Sequence, residues 1–248
     1  MILFITGATS GFGLAMAKRF LNLGHLVIAT GRREERFADL KIQYPITLHT
    51  IKLDVRDKFA VKKAIENLPN KFSNIDVLIN NAGLALGADP AHQASRDDWE
   101  VMVDTNINGV LNCTHYILPG MVERDRGHIV NLGSVAGEFP YPGGNIYGAT
   151  KAFVHQFTLN LKADLLGSNV RVTCIEPGMC QTGFSEVRFR GNKEKADSLY
   201  SGMQALSAND IAETIDWVIS RPAHVNINVI SLMPTQQAFG AFAVSRKS

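Results

Sequence analysis

The sequence has few cysteines and lacks any paired cysteine motif. Its three cysteines, Cys113, Cys174 and Cys180, include no Cys-x-x-Cys pair, and its seven histidines are scattered without a ligand spacing such as His-x-x-x-His. These absences argue against a disulfide framework and against a structural metal site. A chain without disulfides suits a reducing compartment, so we expect a cytoplasmic protein that holds no metal.

Long hydrophobic runs and an excess of charge are also missing. The apolar residues 1–5 are followed at once by Thr6-Gly7, which makes them too short for a signal peptide, and no apolar run approaches the ~18 residues of a membrane-spanning helix. The formal net charge is only +2, which argues against nucleic acid as the main partner. We therefore expect a globular protein that binds neither a membrane nor a nucleic acid.

Short apolar segments alternate with helical patterns along the whole chain. We predict strands at residues 3–5, 26–30, 47–53, 75–79, 129–132, 170–175 and 225–232. This alternation predicts an α/β protein with a single-domain Rossmann fold over residues 1–248, in which a doubly wound, parallel, seven-stranded sheet has helices on both faces. Residues 179–206 interrupt the pattern, and we predict a lid-like excursion there. The ligand site of such a sheet lies beyond the carboxyl ends of its strands.

Two serines mark helix starts. Ser95 and Ser207 are each followed three residues later by an aspartate, the spacing of a capping box. They predict a long helix over residues 96–118 and another over residues 208–219.

Three glycines lie between the first predicted strand and the first predicted helix. Gly7, Gly11 and Gly13 lack Cβ atoms, so the backbone can approach a pyrophosphate and point the helix N-terminus at it. The pattern predicts a dinucleotide site, to which we assign the whole loop: Gly7, Thr9, Ser10, Gly11, Phe12 and Gly13.

The residues that follow the second and third strands indicate which dinucleotide binds. Arg32 and Arg33 stand where an NAD-binding protein would carry an acid for the ribose 2′-hydroxyl. Two guanidinium groups suit a 2′-phosphate, so we predict NADP; the alternative is a solvated start to the next helix. Asp54, with Val55, follows the third strand, and its carboxylate is a candidate partner of the adenine amino group or a cap of its own turn.

A tyrosine and a lysine four residues apart form the candidate catalytic pair. If the segment is helical, Tyr147 and Lys151 share one face, and the ammonium group is expected to lower the pKa of the phenol. Ser134 ends a strand upstream and offers a hydroxyl to the same site. A packed phenol beside a solvated amine, and a serine that merely forms a turn, are the alternatives.

Taken together, these motifs resemble those of the short-chain dehydrogenase/reductase family over nearly the whole chain. The matching stretches are Thr6-Gly7-x-x-x-Gly11-x-Gly13, Asn80-Asn81-Ala82-Gly83, Asn106, Ser134, Tyr147-x-x-x-Lys151 and Pro177-Gly178-x-x-x-Thr182. The resemblance implies an NADP-dependent oxidoreductase, and tetramers are common in the family, so a homotetramer is expected.

The resemblance also implies a role for each motif residue. Tyr147 would be the general acid/base, Ser134 would hold the substrate oxygen, and Lys151 would bind the nicotinamide ribose. Asn106 would hold a water in a proton path, or else fill a helix kink. The remaining cofactor contacts would come from Asn81, Ala82, Gly83, Pro177, Gly178 and Thr182. A turn role is the alternative for Asn81. Glu176 departs from the family, in which an asparagine often precedes the Pro-Gly pair.

Two further stretches resemble a bacterial subgroup of the family that acts on small 3-hydroxy acids. They are residues 141–153 and 222–228. The implied reaction interconverts serine, L-allo-threonine or 3-hydroxypropionate with the 3-oxo acid. Its carboxylate needs a cation, for which Arg188 and Arg190 are candidates, unless residues 188–195 form a solvated charged face.

Several points stay open on sequence alone. Tyr141, Met179 and Phe184 are candidates to shape the substrate pocket, although such side chains are more often plain core. The apolar residues 238–242 could pack on a partner subunit or on their own domain. A 3-oxoacyl-[acyl-carrier-protein] reductase and a non-catalytic NADP-binding sensor are the alternative functions.

Overall fold

A parallel sheet forms the centre of the molecule. The computed structural model describes residues 1–240 and residue 244, and within these residues the strands follow the order β3-β2-β1-β4-β5-β6-β7. The strands are β1 (Ile2–Ile5), β2 (Leu26–Gly31), β3 (Leu48–Lys52), β4 (Val77–Asn80), β5 (Gly127–Leu132), β6 (Val170–Pro177) and β7 (Val229–Leu232). All six neighbouring pairs are parallel. The predicted Rossmann fold, with its seven-stranded doubly wound sheet, is therefore confirmed.

Helices cover both faces of this sheet. In chain order the α-helices are α1 (Gly11–Asn22), α2 (Ala38–Gln43), α3 (Lys58–Glu66), α4 (Arg96–Val103), α5 (Gly109–Glu123), α6 (Asn145–Asp164), α7 (Phe184–Arg188), α8 (Lys193–Ser198) and α9 (Ala208–Ile219). Helices α1 and α9 pack together on one face, and α3, α5 and α6 contribute to the core of the other. None of the helices in the described part of the chain is long and apolar enough to cross a membrane.

The short apolar strands follow from this two-sided burial. In β1, Leu3 and Ile5 belong to the core on the α1 and α9 face, whereas Phe4 belongs to the core on the opposite face. All three are fully buried, because successive strand residues point to opposite faces and both faces are covered. Each such side chain contributes roughly 1.5–3 kcal/mol of burial free energy.

Both predicted helix starts are present, but their capping hydrogen bonds differ. Ser207 and Asp210 form a full capping box at the start of α9, as predicted. Ser95 caps α4 by accepting a hydrogen bond from the Asp98 amide at 3.4 Å. The single long helix predicted after Ser95 is interrupted by a π-helical turn at Asp104–Asn108 before α5 continues to Glu123. Such a turn holds one extra residue, which hydrophobic spacing does not reveal.

The last strand also departs from the sequence prediction. The last strand begins at Val229, not at residue 225, because the side chain of Asn226 takes the place of a backbone partner. Its amide accepts from the Val172 N–H at 2.8 Å and donates to the Val172 carbonyl at 2.9 Å. The excursion at residues 179–206 contains the two short helices α7 and α8.

The apolar C-terminal residues are only partly described. Phe239 contacts Phe139 of the same chain, with 5.3 Å between ring centroids, yet it is 70% exposed. Residues 241 and 242 of the predicted apolar tail lie outside the described residues.

Candidate active site

A cavity of about 470 Å³ lies beyond the carboxyl ends of the strands, where the fold predicts a ligand. Most of the predicted site residues line it: Gly7, Thr9, Ser10, Gly11, Phe12, Arg32, Arg33, Asp54, Val55, Asn81, Ala82, Gly83, Ser134, Tyr147, Lys151, Pro177, Gly178, Thr182 and Arg188. Gly13 and Asn106 lie behind the lining. The structure thus brings residues from the ends of strands β1 to β6 into one cleft.

The glycine loop has the backbone that a phosphate cradle requires. Gly7 and Gly11 adopt φ angles of +68° and +52°, which only glycine adopts without strain. Gly13 is needed for packing and does not line the cavity. A Cβ at Gly13 would lie 2.6 Å from Asn81 Nδ2 and 2.8 Å from Ala8 Cα, so the helix can approach the loop only without a side chain there.

Asn81 ties the loop after β4 to the loop after β1. Its Nδ2 donates to the carbonyl oxygens of Thr6 at 2.7 Å and Gly7 at 3.3 Å. In return, the Thr6 hydroxyl accepts from the amides of Asn81 and Ala82, both at 2.9 Å. These contacts are those of the turn role that was the alternative for Asn81, and they hold Ala82 and Gly83 at the cavity wall. Asn81 lines the cavity as well, so its contact with the cofactor stays a prediction.

Three arginines give the end of β2 a positive charge. Arg33 donates to Ser10 Oγ at 2.9 Å and to Thr9 Oγ1 at 3.2 Å, which brings it onto the glycine loop. Burial lowers the pKa of Arg33, and the charges of Arg36 and Arg32 lower it further. Arg33 is thus packed against the loop within a cluster of like charges, an arrangement that an anion would relieve.

Asp54 is occupied by its own turn. Its carboxylate accepts from Nε and Nη2 of Arg56, the latter at 2.6 Å, and from the Arg56 amide at 3.1 Å. These hydrogen bonds are the largest cause of a lowered pKa of Asp54. Asp54 therefore makes the contacts of a residue that caps its own turn, which was one of its two predicted roles. It also lines the cavity.

Ser134 and Tyr147 meet through their hydroxyl groups. Burial raises the pKa of Tyr147, and a hydrogen bond with Ser134 partly opposes this shift. The expected lowering of the phenol pKa by Lys151 is therefore wrong for the chain alone, because loss of hydration outweighs the neighbouring charges. Ser134 Oγ also donates to the Pro177 carbonyl at 3.4 Å and accepts from the Ala136 amide at 3.1 Å.

Lys151 lies beneath the tyrosine on the same face of α6, as its spacing predicted. Its ammonium group lies 5.8 Å from the Tyr147 ring centroid and donates to the Leu132 carbonyl at 2.7 Å. Burial lowers the pKa of Lys151 to about 8. The amine is therefore held at the end of β5.

Asn106 lies in the π-helical turn with its side chain fully engaged. Its Oδ1 accepts from the Leu84 amide at 2.9 Å, and its Nδ2 donates to the Leu84 carbonyl at 2.9 Å and to Thr150 Oγ1 at 3.0 Å. The residue is buried. These contacts join the loop after β4 to α6, which fits the kink role better than direct contact of the side chain with a water.

Arg188 reaches from α7 to the opposite wall of the cavity. Its Nε donates to the Gly87 carbonyl at 3.0 Å, and its guanidinium carbon lies 5.3 Å from the Tyr141 ring centroid. Its charge acts on Tyr147 in the direction of a lower pKa. Arg190, the other candidate cation, instead pairs with Asp98 at 2.7 Å outside the lining and is not part of the cavity.

Two polar residues at the Arg188 end of the cavity were not predicted from the sequence. Ser185 and Tyr200 line the cavity and hydrogen-bond to each other at 2.6 Å, and Tyr200 also donates to the Cys180 carbonyl at 2.9 Å. Ser185 comes from α7 and Tyr200 from the turn after α8. Neither segment carries a motif, so only their folding over the cleft reveals these residues. Tyr141, Met179 and Phe184 do line the cavity, as considered from the sequence.

Comparisons with known proteins agree with this geometry. Residues 1–193 match the short chain dehydrogenase family. The NADP-dependent 3-hydroxy acid dehydrogenase YdfG of Salmonella typhi is 55% identical over 247 residues, which are 99% of this chain and 100% of that protein. The serine 3-dehydrogenase of Rhizobium radiobacter is 54% identical over 246 residues, which are 99% of this chain and 98% of that protein.

A solved structure extends the likeness to three dimensions. The closed form of serine dehydrogenase complexed with NADP⁺ has a TM-score of 0.96 and 52% identity, and the match covers 100% of both chains. The family match covers well over half of the sequence, and its residues form the glycine loop and the Ser134, Tyr147 and Lys151 cluster. The chain belongs to the short-chain dehydrogenase/reductase family.

Proposed function

We propose that this protein is an NADP-dependent oxidoreductase that interconverts small 3-hydroxy acids and 3-oxo acids by hydride transfer. The observation that carries the proposal is a single cavity holding a paired serine and tyrosine, an arginine cluster at the dinucleotide end and Arg188 at the other end. The printed names of the relatives, a 3-hydroxy acid dehydrogenase and a serine dehydrogenase, support it.

The residues of the cavity fit NADP. The glycine loop offers a backbone without Cβ atoms at Gly7 and Gly11, next to the start of α1, which suits a pyrophosphate. Arg32 and Arg33 lie at the end of β2, where a 2′-phosphate would stand. The bound cofactor supplies the hydride acceptor or donor; Ala82, Gly83, Pro177, Gly178 and Thr182 would form the wall along it.

The proton chemistry falls to the chain's own side chains. In oxidation, Tyr147 would take the proton of the substrate hydroxyl, and Ser134 would donate a hydrogen bond to the same oxygen. Lys151, buried beneath the tyrosine, would hold the cofactor ribose, and with the cofactor bound its charge would act together with that of the oxidised nicotinamide to favour the phenolate. Asn106 would act by holding the loop after β4 against α6, so that the proton path beneath Lys151 keeps its shape.

Arg188 would bind the substrate carboxylate. It stands within electrostatic reach of both Tyr147 and Tyr200, so a three-carbon acid could place its hydroxyl at Tyr147 and its carboxylate at Arg188. Among the described residues that line the cavity, the one acid is Asp54, at the opposite, dinucleotide end. The ammonium group of serine would therefore meet no carboxylate, and we expect 3-hydroxypropionate to be the better substrate.

We also propose that residues 179–206 act as a lid. Arg188 makes two hydrogen bonds to Gly87 across the cleft: its carbonyl accepts from the Gly87 amide at 3.0 Å, and its side-chain Nε donates to the Gly87 carbonyl at 3.0 Å. Arg190 pairs with Asp98 on α4. Both contacts tie α7 to the far wall, which fits closure over a bound substrate.

The oligomeric state and the cellular location are two further proposals. We propose a homotetramer, which the family resemblance and exposed apolar side chains such as Leu166, 89% exposed, support. We propose a cytoplasmic location, which the three free thiols Cys113, Cys174 and Cys180 support.

The central experiment combines a substrate screen with a phenol-to-phenyl substitution. The wild-type protein should reduce NADP, followed by absorbance, with free 3-hydroxypropionate and more weakly with L-serine. Tyr147→Phe should retain NADPH binding and lose about 10³-fold or more of the turnover, because no other group takes the proton. Tyr116→Phe, on α5 and outside the cavity lining, is the matched control and should keep full activity.

The same screen separates the alternatives. A 3-oxoacyl-[acyl-carrier-protein] reductase would need the carrier-linked substrate and would ignore the free short acids. A non-catalytic NADP-binding sensor would bind NADPH and turn over none of them. Unchanged turnover in Tyr147→Phe would show that another residue is the base.

A further inference from the structure

Three metal-ligating side chains of different kinds meet behind the cavity. His155 on α6 and Cys174 and Glu176 on β6 place one ligand atom each within 4.8 Å of one another. Cys174 and Glu176 are two residues apart and so share one face of β6, while His155 lies one helical turn beyond Lys151. The proposed reaction uses none of the three.

The distances between these atoms are close to those of a metal site. A tetrahedral zinc ion with bonds of ~2.0–2.3 Å separates its ligand atoms by about 3.3–3.6 Å. Cys174 Sγ and Glu176 Oε1 are already 3.7 Å apart, whereas His155 Nδ1 and Glu176 Oε1 are hydrogen-bonded at 2.6 Å. His155 Nδ1 and Cys174 Sγ lie within 4.8 Å of each other, so a movement of the imidazole away from the carboxylate oxygen and toward the sulfur would complete the triangle.

The burial of Cys174 and Glu176 and the partial exposure of His155 also suit a bound cation. Glu176 is 2% exposed and Cys174 is fully buried, so the carboxylate is held where an unpaired charge is costly. The side chain of His155 is 33% exposed, which gives an ion a path from solvent. Burial raises the pKa of the Cys174 thiol to about 12, so the sulfur keeps its proton until a cation replaces it.

We propose that His155, Cys174 and Glu176 form a binding site for a divalent cation of the zinc class. A thiolate, an imidazole and one carboxylate would supply three bonds and solvent a fourth, a set that favours Zn²⁺ or Co²⁺ over Mg²⁺ or Ca²⁺. On binding, Cys174 releases its thiol proton to solvent. The proton between His155 Nδ1 and Glu176 Oε1 passes to solvent as well, while Nε2 of the neutral imidazole takes one up, and their hydrogen bond gives way to two metal bonds.

The site is connected to the active site through two strand ends. A Cβ on Gly133 would lie 2.7 Å from Cys174 Sγ and 3.0 Å from Glu176 Cγ, so the backbone just before Ser134 rests on the cluster. Glu176 also precedes Pro177, whose carbonyl accepts from Ser134. An ion that spreads the cluster displaces both strand ends, so we expect Zn²⁺ to inhibit the dehydrogenase reversibly.

Cobalt provides a test that does not depend on turnover. The protein, freed of metal with a chelator, is titrated with Co²⁺ and followed by absorbance. We expect one equivalent to produce a near-ultraviolet thiolate-to-cobalt charge-transfer band and the visible bands of tetrahedral Co²⁺, both displaced by Zn²⁺ and untouched by Mg²⁺. Cys174→Ser should abolish the charge-transfer band, and His155→Asn, at a partly exposed position, should weaken binding at least ~10-fold.

A control variant tests whether the cobalt bands are specific to Cys174, and an activity assay tests whether Zn²⁺ inhibits through this site. Cys113→Ser removes another buried thiol and should leave the cobalt bands unchanged, and circular dichroism checks that each variant is folded. Zn²⁺ inhibition should be reversed by EDTA and lost in Cys174→Ser and His155→Asn. The proposal is overturned if wild-type protein shows no thiolate band, if folded Cys174→Ser retains it, or if both variants are inhibited as wild type is.

Discussion

Arg33 is bound to the glycine loop through the hydroxyls of Thr9 and Ser10 and has Arg32 and Arg36 as neighbours. We expect Arg33→Gln to lower the preference for NADP over NAD, measured as the ratio of kcat/KM values, by about 10- to 100-fold. A charge-assisted hydrogen bond to a phosphate contributes roughly 1.5–3 kcal/mol, and NAD lacks that phosphate.

The matched control for this change is Arg36→Gln. It removes the same charge from the same turn, but Arg36 does not line the cavity, so its effect should be smaller. Equal losses with NADP and NAD would mean that Arg33 only supports the loop.

A second prediction about a single residue concerns Arg188. Arg188→Gln should raise KM for 3-hydroxypropionate about 10- to 100-fold, since a charged hydrogen bond to the carboxylate is lost. The uncharged analogue 3-hydroxypropionamide should change far less, because it offers no carboxylate. Initial rates with both compounds at saturating NADP measure the difference.

Arg190→Gln is the control on the same segment. Arg190 pairs with Asp98 outside the cavity, so its loss weakens only the lid and should change the KM values for the acid and the amide by the same small factor. If Arg188→Gln impairs the acid and the amide alike, the arginine serves the loop at Gly87 and not the substrate.

The junction between the glycine loop, α1 and the loop after β4 is the element that positions the cofactor. Gly13→Ala would force a Cβ against Asn81 Nδ2 and Ala8 Cα, at 2.6 and 2.8 Å. We expect a loss of about 1–3 kcal/mol in the free energy of unfolding, as for other overpacked sites, and a weaker affinity for NADPH. Urea denaturation and NADPH fluorescence titration measure the two effects.

Gly120→Ala in α5 tests whether the effect is specific to that junction. Its Cβ would meet only the flexible end of Arg124, at 3.1 Å, and alanine is the better helix former by roughly 0.5–1 kcal/mol. Stability should hold or rise there, and NADPH affinity should not change. A Gly13→Ala protein that behaves in the same way would contradict the packing role.

The parts of this site that the sequence predicts are those whose chemistry is local. The glycine loop, the arginines after β2 and the spacing of Tyr147 and Lys151 each lie within a few residues, so the motif itself carries the geometry. The π-helical turn around Asn106 is different, because one extra residue in a helix leaves the apolar spacing on both sides intact. Its role depends on contacts with Leu84 and Thr150 that only the folded chain shows.

Other features of the site were not predicted from the sequence because they arise from contacts between distant segments. Ser185 and Tyr200 enter the cavity only because α7 and the segment after α8 fold across it. His155 and Glu176 are 21 residues apart and meet through the packing of α6 on β6. The pKa of Tyr147 likewise depends on enclosure from all sides, which the lysine at i+4 does not disclose.

At the scale of the whole molecule, the centre of the sheet contains a buried histidine. His128 on β5 is 1% exposed, and its Nε2 lies 2.8 Å from Thr173 Oγ1 on β6. Its Nδ1 has no hydrogen-bond partner among the residues that the structure describes. Burial, and to a smaller extent the charge of Arg171, lowers the pKa of His128 to about 3. Protonation of this ring is therefore coupled to opening of the sheet as a whole.

The folded protein binds fewer protons at His128 than the unfolded chain does between about pH 6.5 and pH 3, so acid favours unfolding. Stability should fall through this window by up to ~1.4 kcal/mol per pH unit on account of His128 alone. His128→Gln keeps a donor toward Thr173 but cannot be protonated, and it should flatten the dependence between pH 6.5 and 4.5 in urea denaturation. His224→Gln removes an exposed histidine and should leave the slope unchanged; the same slope in all three proteins would place the acid sensitivity in other groups.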